Sequence, residues 1–256
     1  MSDQRVHIVN AFTDSPEGGN PAGVCLPEHD LPTGEMQRIA AEVNLSETAF
    51  LRPEGEGWRI RWFTPTTEVP LCGHATLASA HTLWELGRVP PDQTIVFQSA
   101  SGPLTATRDG GWIELDFPSD PPEPAEIPVG LTEALRERPL SVSRAKVGHL
   151  VEVESAEKVR CLAPDIRAID RTVGSVCVTA RSDTPEFDFI SRFFAPEHGI
   201  DEDPVTGAAH CALAPHWAAR LGKEEMMGFQ ASARGGTVRV RLRGDRVLLG
   251  GKALMR

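Results

Sequence analysis

Two stretches of this chain follow the same order of parts. The first runs through FTP (63–65), GHAT (73–76), a mostly apolar segment to Leu86-Gly87, VFQSASG (96–102) and a hairpin. The second runs through FAP (194–196), DPVTG (203–207), an apolar segment to Leu221-Gly222, GFQASARGG (228–236) and another hairpin. Phe97-Gln98 and Phe229-Gln230 fall at nearly the same distance beyond Gly73 and Gly207. One duplication of this kind predicts two similar halves, because a solenoid needs three or more units.

Local patterns fill in each half. RVHIVNAF reads as a strand, and SPEGGNPAG as a loop of turn residues. GEMQRIAAEVN puts Met36, Ile39, Ala40 and Val43 at helical spacing, with Asn44 as the stop. SETAFL returns to extended structure, with Glu47 near the junction. GWRIRWF alternates Trp58, Ile60 and Trp62 with arginines, the pattern of a strand with one buried face. The segment Gly73 to Gly87 is apolar on most sides, which predicts a central helix. Asp109-Gly110-Gly111 suits a tight hairpin. PSDPPEPAEIP (118–128) is the best linker candidate, since its prolines forbid helix. The expected division is 1–120 and 121–256, with the last few residues packing back on the first half.

At 256 residues, 40% hydrophobic and 24% charged, the chain has an ordinary globular composition. Its net charge of −10 and lack of a basic face argue against nucleic acid. Arg239, Arg241, Arg243 and Arg246 alternate mainly with Val238, Val240 and Leu242, as on the solvent side of a strand. Five cysteines, Cys25, Cys72, Cys161, Cys177 and Cys211, form no CxxC pair, so a disulfide framework or zinc site is not expected. Reduced thiols, no signal peptide and no long apolar run place the chain in the cytoplasm, away from membrane. HExxH, GxGxxG, P-loop and GxSxG patterns are missing, so no metal, nucleotide or other cofactor is expected.

The chemistry is expected at the two helix starts. Gly73 and Gly207 let a ligand approach the backbone. Free N–H groups at a helix start favour an anion such as a carboxylate. For one half alone, crowding relief would explain the glycine and capping would explain Asp203. The duplication favours a site, because each half puts a titratable group at the mouth: His74 after Gly73, and Asp203 ahead of Gly207. Facing each other, the mouths would hold a small acidic molecule in a cleft between the halves.

GGNPAGV (18–24), SETAF (46–50), FTPTTEVPLCGHAT (63–76), EDPVTGAAH (202–210) and QASARGG (230–236) together resemble the PhzF family, the phenazine biosynthesis-like proteins. The resemblance covers nearly the whole chain. It implies an α+β, diaminopimelate-epimerase-like fold of two pseudo-symmetric halves, each a barrel-like sheet around a central helix. It also implies cofactor-independent isomerisation of a small amino or hydroxy acid, and a homodimer. In the family's phenazine enzyme a glutamate moves a proton between ring carbons of a dihydro-hydroxyanthranilate. Glu47 matches that glutamate, with His74 and Asp203 in support. Substrate contacts then fall on Gly73, Ala75, Thr206, Gly207 and Ala208. A base of this kind needs a pKa raised toward neutrality by a water-poor pocket.

The family's phenazine enzyme has a serine where this chain has Ala208, which removes one hydrogen bond to substrate. A protein that binds without turnover is therefore the second reading. Related racemases use one cysteine from each half. Cys72 lies near the first position, but residues 203–208 hold no thiol and Cys211 lies a turn deeper, so a two-thiol mechanism is disfavoured. Cys72 reads as a small buried residue.

Overall fold

The structure is a computed structural model and describes residues 4–256. The chain divides into two compact units. One runs to Asp116 and includes Gly250–Arg256; the other is Phe117–Leu249.

The first unit contains strands β1 (Val6–Ala11), β2 (Asn20–Cys25), β3 (Glu47–Glu54), β4 (Gly57–Phe63), β5 (Glu68–Val69), β6 (Ile95–Ser99), β7 (Gly102–Asp109) and β8 (Trp112–Pro118), the last leading out of it. Helix α1 (Thr33–Val43) lies between β2 and β3, and α2 (Gly73–Glu85) between β5 and β6. Along β1, β2, β3, β4, β6 and β7 the pairings run antiparallel, parallel, antiparallel, parallel, antiparallel. Asn44 ends α1 in the left-handed conformation and turns the chain into β3. Met36, Ile39 and Ala40 pack with Phe50 and Phe63, whose rings meet edge to face.

Helix α2 has almost no polar face. Every residue from His74 to Trp84 except His81 is buried. Such a segment gains little from an exposed surface and is stable only inside a sheet. Its hydroxyls are satisfied locally: Thr76, Ser79 and Thr82 each donate to the carbonyl four residues back. Leu77 is fully buried on this helix. Truncation to alanine at such a position costs about 2–5 kcal/mol.

The second unit repeats the scheme. Its strands are β9 (Glu123–Pro124), β10 (Ser141–Ala145), β11 (Gly148–Glu152), β12 (Val176–Arg181), β13 (Phe189–Ala195), β14 (Ile200–Asp203), β15 (Glu225–Gln230), β16 (Gly236–Arg243) and β17 (Arg246–Gly251), the last leading out of it. Along β10, β11, β12, β13, β15 and β16 the pairings again run antiparallel, parallel, antiparallel, parallel, antiparallel. The short helices α3 (Leu131–Leu135), α4 (Ala156–Arg160) and α5 (Ile166–Thr172) pack on this sheet, and α6 (Gly207–Leu221) takes the central place of α2. The fold is α+β, and the duplication seen in the sequence is a duplication of strand order.

The proline-rich segment is more firmly held than a linker. Pro215 lies inside α6 and has no N–H for the carbonyl of Cys211. The amide of Asp120 donates to that carbonyl at 3.1 Å. The Asp120 carboxylate in turn accepts from the amides of Lys146 and Val147. Glu123 and Pro124 pair with β10. Arg239 and Arg241 also differ from expectation, being half-buried on β16 instead of fully in solvent.

A last strand, β18 (Ala253–Met255), pairs antiparallel with β1 and belongs to the first unit. Just before it, Gly251 leaves no room for a side chain. A Cβ there would lie 2.5 Å from the Phe12 ring and 2.6 Å from Leu77. No helix among the described residues is long and apolar enough to cross a membrane.

Candidate functional site

In the first unit, Glu47 opens β3 and pairs in register with Ala22 of β2. GGNPAGV is what lets the two strands come this close. A Cβ on Gly23 would lie 2.8 Å from the Thr48 hydroxyl, so only glycine fits beside the residue that follows Glu47.

Gly73 begins α2, and Cys72 ahead of it is extended. The first helical hydrogen bond is from Thr76 N to Cys72 O. The N–H groups of Gly73, His74 and Ala75 therefore have no acceptor within the helix. The His74 ring lies between two side chains. Its Nδ1 is 3.5 Å from Cys72 Sγ, and its Nε2 is 3.3 Å from Glu47 Oε2. The second contact is close but not aligned as a hydrogen bond. Burial pushes the His74 pKa down to about 3, so the imidazole is neutral. Glu47 keeps 13% of its side-chain surface exposed, enough for a ligand to touch it. Ala75, by contrast, is wholly buried.

Glu47, Cys72 and His74 each offer a ligand atom within 4.8 Å of the others, so the trio could approach a metal ion. Cys72 and Glu47 meet different nitrogens of the ring, however. A metal takes one nitrogen lone pair, and the ring would have to turn to bring all three ligands onto it.

In the second unit, β14 ends at Asp203, which is buried. Asp203 does not cap α6; the residue at that place is Thr206. The Thr206 hydroxyl donates to Asp203 Oδ2 at 2.5 Å. Gly207 is buried at the helix start and Ala208 is exposed beside it. The neighbouring acid, Glu202, forms a two-pronged pair with Arg192 and is structural.

Two residues outside the expected set hold this second mouth. Gln230 is fully buried. Its Oε1 accepts from Thr206 N at 2.9 Å, and its Nε2 donates to Asp203 O at 2.8 Å and to Thr206 Oγ1 at 3.1 Å. Ser232 donates to Pro204 O at 2.8 Å. Both lie in QASARGG, a motif visible in the sequence without any hint of what it touches.

A family model for phenazine biosynthesis-like proteins, PhzC-PhzF, matches residues 9–256. The chain belongs to the PhzF family. An uncharacterized isomerase of Halalkalibacterium halodurans is 47% identical over 260 residues, covering 99% of this chain and 97% of that protein. The crystal structure of a PhzF-family phenazine biosynthesis protein from Enterococcus faecalis superposes with a TM-score of 0.94 at 39% identity. It covers 98% of this chain and 96% of that one. A hydroxyproline epimerase from Agrobacterium vitis shares the fold at a TM-score of 0.67 and 12% identity, with 99% and 90% coverage. The PhzF fold is thus epimerase-like.

Proposed function

We propose that this PhzF-family chain is an isomerase that moves a proton between carbon atoms of a small amino or hydroxy acid without a cofactor. The observation that carries the reading is the pair formed by Glu47 at the start of β3 and His74 at the start of α2: a partly exposed carboxylate 3.3 Å from a buried, neutral imidazole.

Glu47 takes a proton from substrate carbon and returns it to another. A neutral His74 can donate a hydrogen bond without competing as an acid. The helix-start N–H groups of Gly73 and His74 stabilise the negative charge that develops on the substrate. Asp203, with Thr206 and Gly207, holds the substrate's polar groups. In this reading both helix mouths serve one ligand, in the cleft expected from the sequence, and Ala208 leaves one substrate group unbonded.

A binding protein that leaves its ligand unchanged is the second reading, and Ala208 favours it. One experiment separates the two. The protein is incubated in deuterium oxide with a panel of amino and hydroxy acids, and each acid is weighed by mass spectrometry. An isomerase introduces or relocates deuterium at carbon, and Glu47→Gln abolishes this. Tight binding of a panel member with no exchange rejects the isomerase.

A further inference from the structure

The Cys72 thiol is buried, lies beside Nδ1 of the His74 ring, and has no part in the proton transfer described above. We propose that Cys72 is a positioning residue: its S–H donates to His74 Nδ1 and sets the ring as its Nε2–H tautomer, which leaves a proton and not a lone pair on the nitrogen nearest Glu47 Oε2. The proposal rests on the isomerase reading for its consequence, but the geometry stands apart from it.

Three observations support it. A neutral imidazole has one N–H and one lone pair, so whatever occupies one nitrogen decides the other. Sγ lies 3.5 Å from Nδ1, within reach of a sulfur hydrogen bond. The Cys72 backbone is also anchored, since its carbonyl accepts from both Thr76 N, at 3.2 Å, and Thr76 Oγ1, at 2.5 Å. The thiol is thereby held beside the ring by the first turn of α2.

Two other roles for the trio fit less well. A chelate would need Sγ and Oε2 at the same ring nitrogen, and the nearest nitrogen to Sγ is Nδ1 while the nearest to Oε2 is Nε2. A nucleophilic thiolate would need His74 to accept the thiol proton, which places two charges in a buried site where the ring already resists protonation. Among the described residues, Glu47 and Cys72 are the only histidine, cysteine or acidic side chains that group with this ring.

The consequence for the reaction is proton retention. With Nδ1 accepting from the thiol, Nε2 carries the ring's only proton and has no lone pair for Glu47. A proton taken up by Glu47 then stays on the carboxyl group until it returns to the substrate.

The test is nitrogen NMR on ¹⁵N-histidine-labelled full-length protein, compared among wild type, Cys72→Ala and Cys72→Ser, with thermal unfolding as a control. The wild-type His74 spectrum should show Nε2 protonated and Nδ1 unprotonated. The Nδ1 resonance should move in Cys72→Ala to the position of a lone pair with no donor, and Cys72→Ser should bring it back. An Nδ1–H tautomer in the wild type, or an Nδ1 resonance unmoved by Cys72→Ala, overturns the proposal. If Cys72→Ala does not fold, the wild-type tautomer and the serine variant decide. Once a substrate is in hand, kcat should fall about five- to tenfold in Cys72→Ala with KM unchanged, the effect of one neutral hydrogen bond, and serine should restore it. The spectrum needs no substrate, so a failed isomerase reading leaves this test intact.

Discussion

The Thr206 hydroxyl reaches back three residues and donates to Asp203 Oδ2 at 2.5 Å, tying the end of β14 to the start of α6. Thr206→Val keeps the shape and removes the donor. Hydrogen bonds to charged groups are worth about 1.5–3 kcal/mol. We expect a stability loss of that order in urea unfolding, together with a raised KM. An unchanged KM in a folded variant would detach Asp203 from substrate binding.

Glu47→Gln keeps the size of the side chain but cannot accept a proton at neutral pH. Removing a general base costs about 10²–10⁴ in rate. Turnover should fall by that much while the thermal midpoint barely moves, because a single partly exposed acid carries little of the stability. Near-normal turnover would make another group the base. Asp203→Asn should instead weaken binding and rate together.

Gln230→Leu fills the same volume and breaks three hydrogen bonds at once. It takes an acceptor from the Thr206 amide and a donor from the Asp203 carbonyl, at about 1–3 kcal/mol each. Chemical denaturation should report a loss of several kcal/mol. Activity should fall through KM even well below the unfolding temperature. A variant as stable as the wild type would show that these bonds do not hold the α6 mouth.

Burial pushes the His74 pKa to about 3 and the His210 pKa to about 4, in the latter case against the raising effect of the bond to Thr206 O. In the unfolded chain both titrate near the ordinary 6.5. Between those values the unfolded state binds protons that the folded state refuses. Stability is therefore fully present above about pH 6.5 and falls as the solution is acidified. Each histidine contributes up to ~1.4 kcal/mol per pH unit. Urea unfolding near pH 5 and near pH 7 should differ in this direction, and His210→Gln should flatten the slope. Equal stability at both values would mean that these rings are not held neutral.

The plan of the fold could be read from the chain because it is written twice. Matching glycines, matching apolar runs and matching downstream hairpins predict two copies of one strand order, and the pairings repeat pair for pair. Glu47, His74 and Asp203 were singled out for a different reason: each sits in a short motif that resembles a family. What escaped was contact between residues far apart in sequence. Phe97-Gln98 and Phe229-Gln230 look equivalent, yet Gln98 is exposed and Gln230 is buried against Asp203, 27 positions away. Burial of a polar side chain depends on what packs over it, and local periodicity does not record that. Cys72 was legible as a small buried residue, but its nearness to Nδ1 depends on how the His74 side chain turns. Asp120 reads as part of a loose proline-rich segment, and only the missing N–H of Pro215 explains why its amide is needed on α6.

The pairing of β18 with β1 joins two strands that have the whole second unit between them in sequence. A ribosome releases β1 before the second unit and β18 after it. The first unit must wait with one flank of β1 unpaired while the whole second unit emerges and folds. The order of maturation is then the reverse of the order of translation: the half made first is finished last. Nascent chains stalled short of Ala253 should show the second unit resistant to protease while β1 is still cut, and emergence of β18 should protect it.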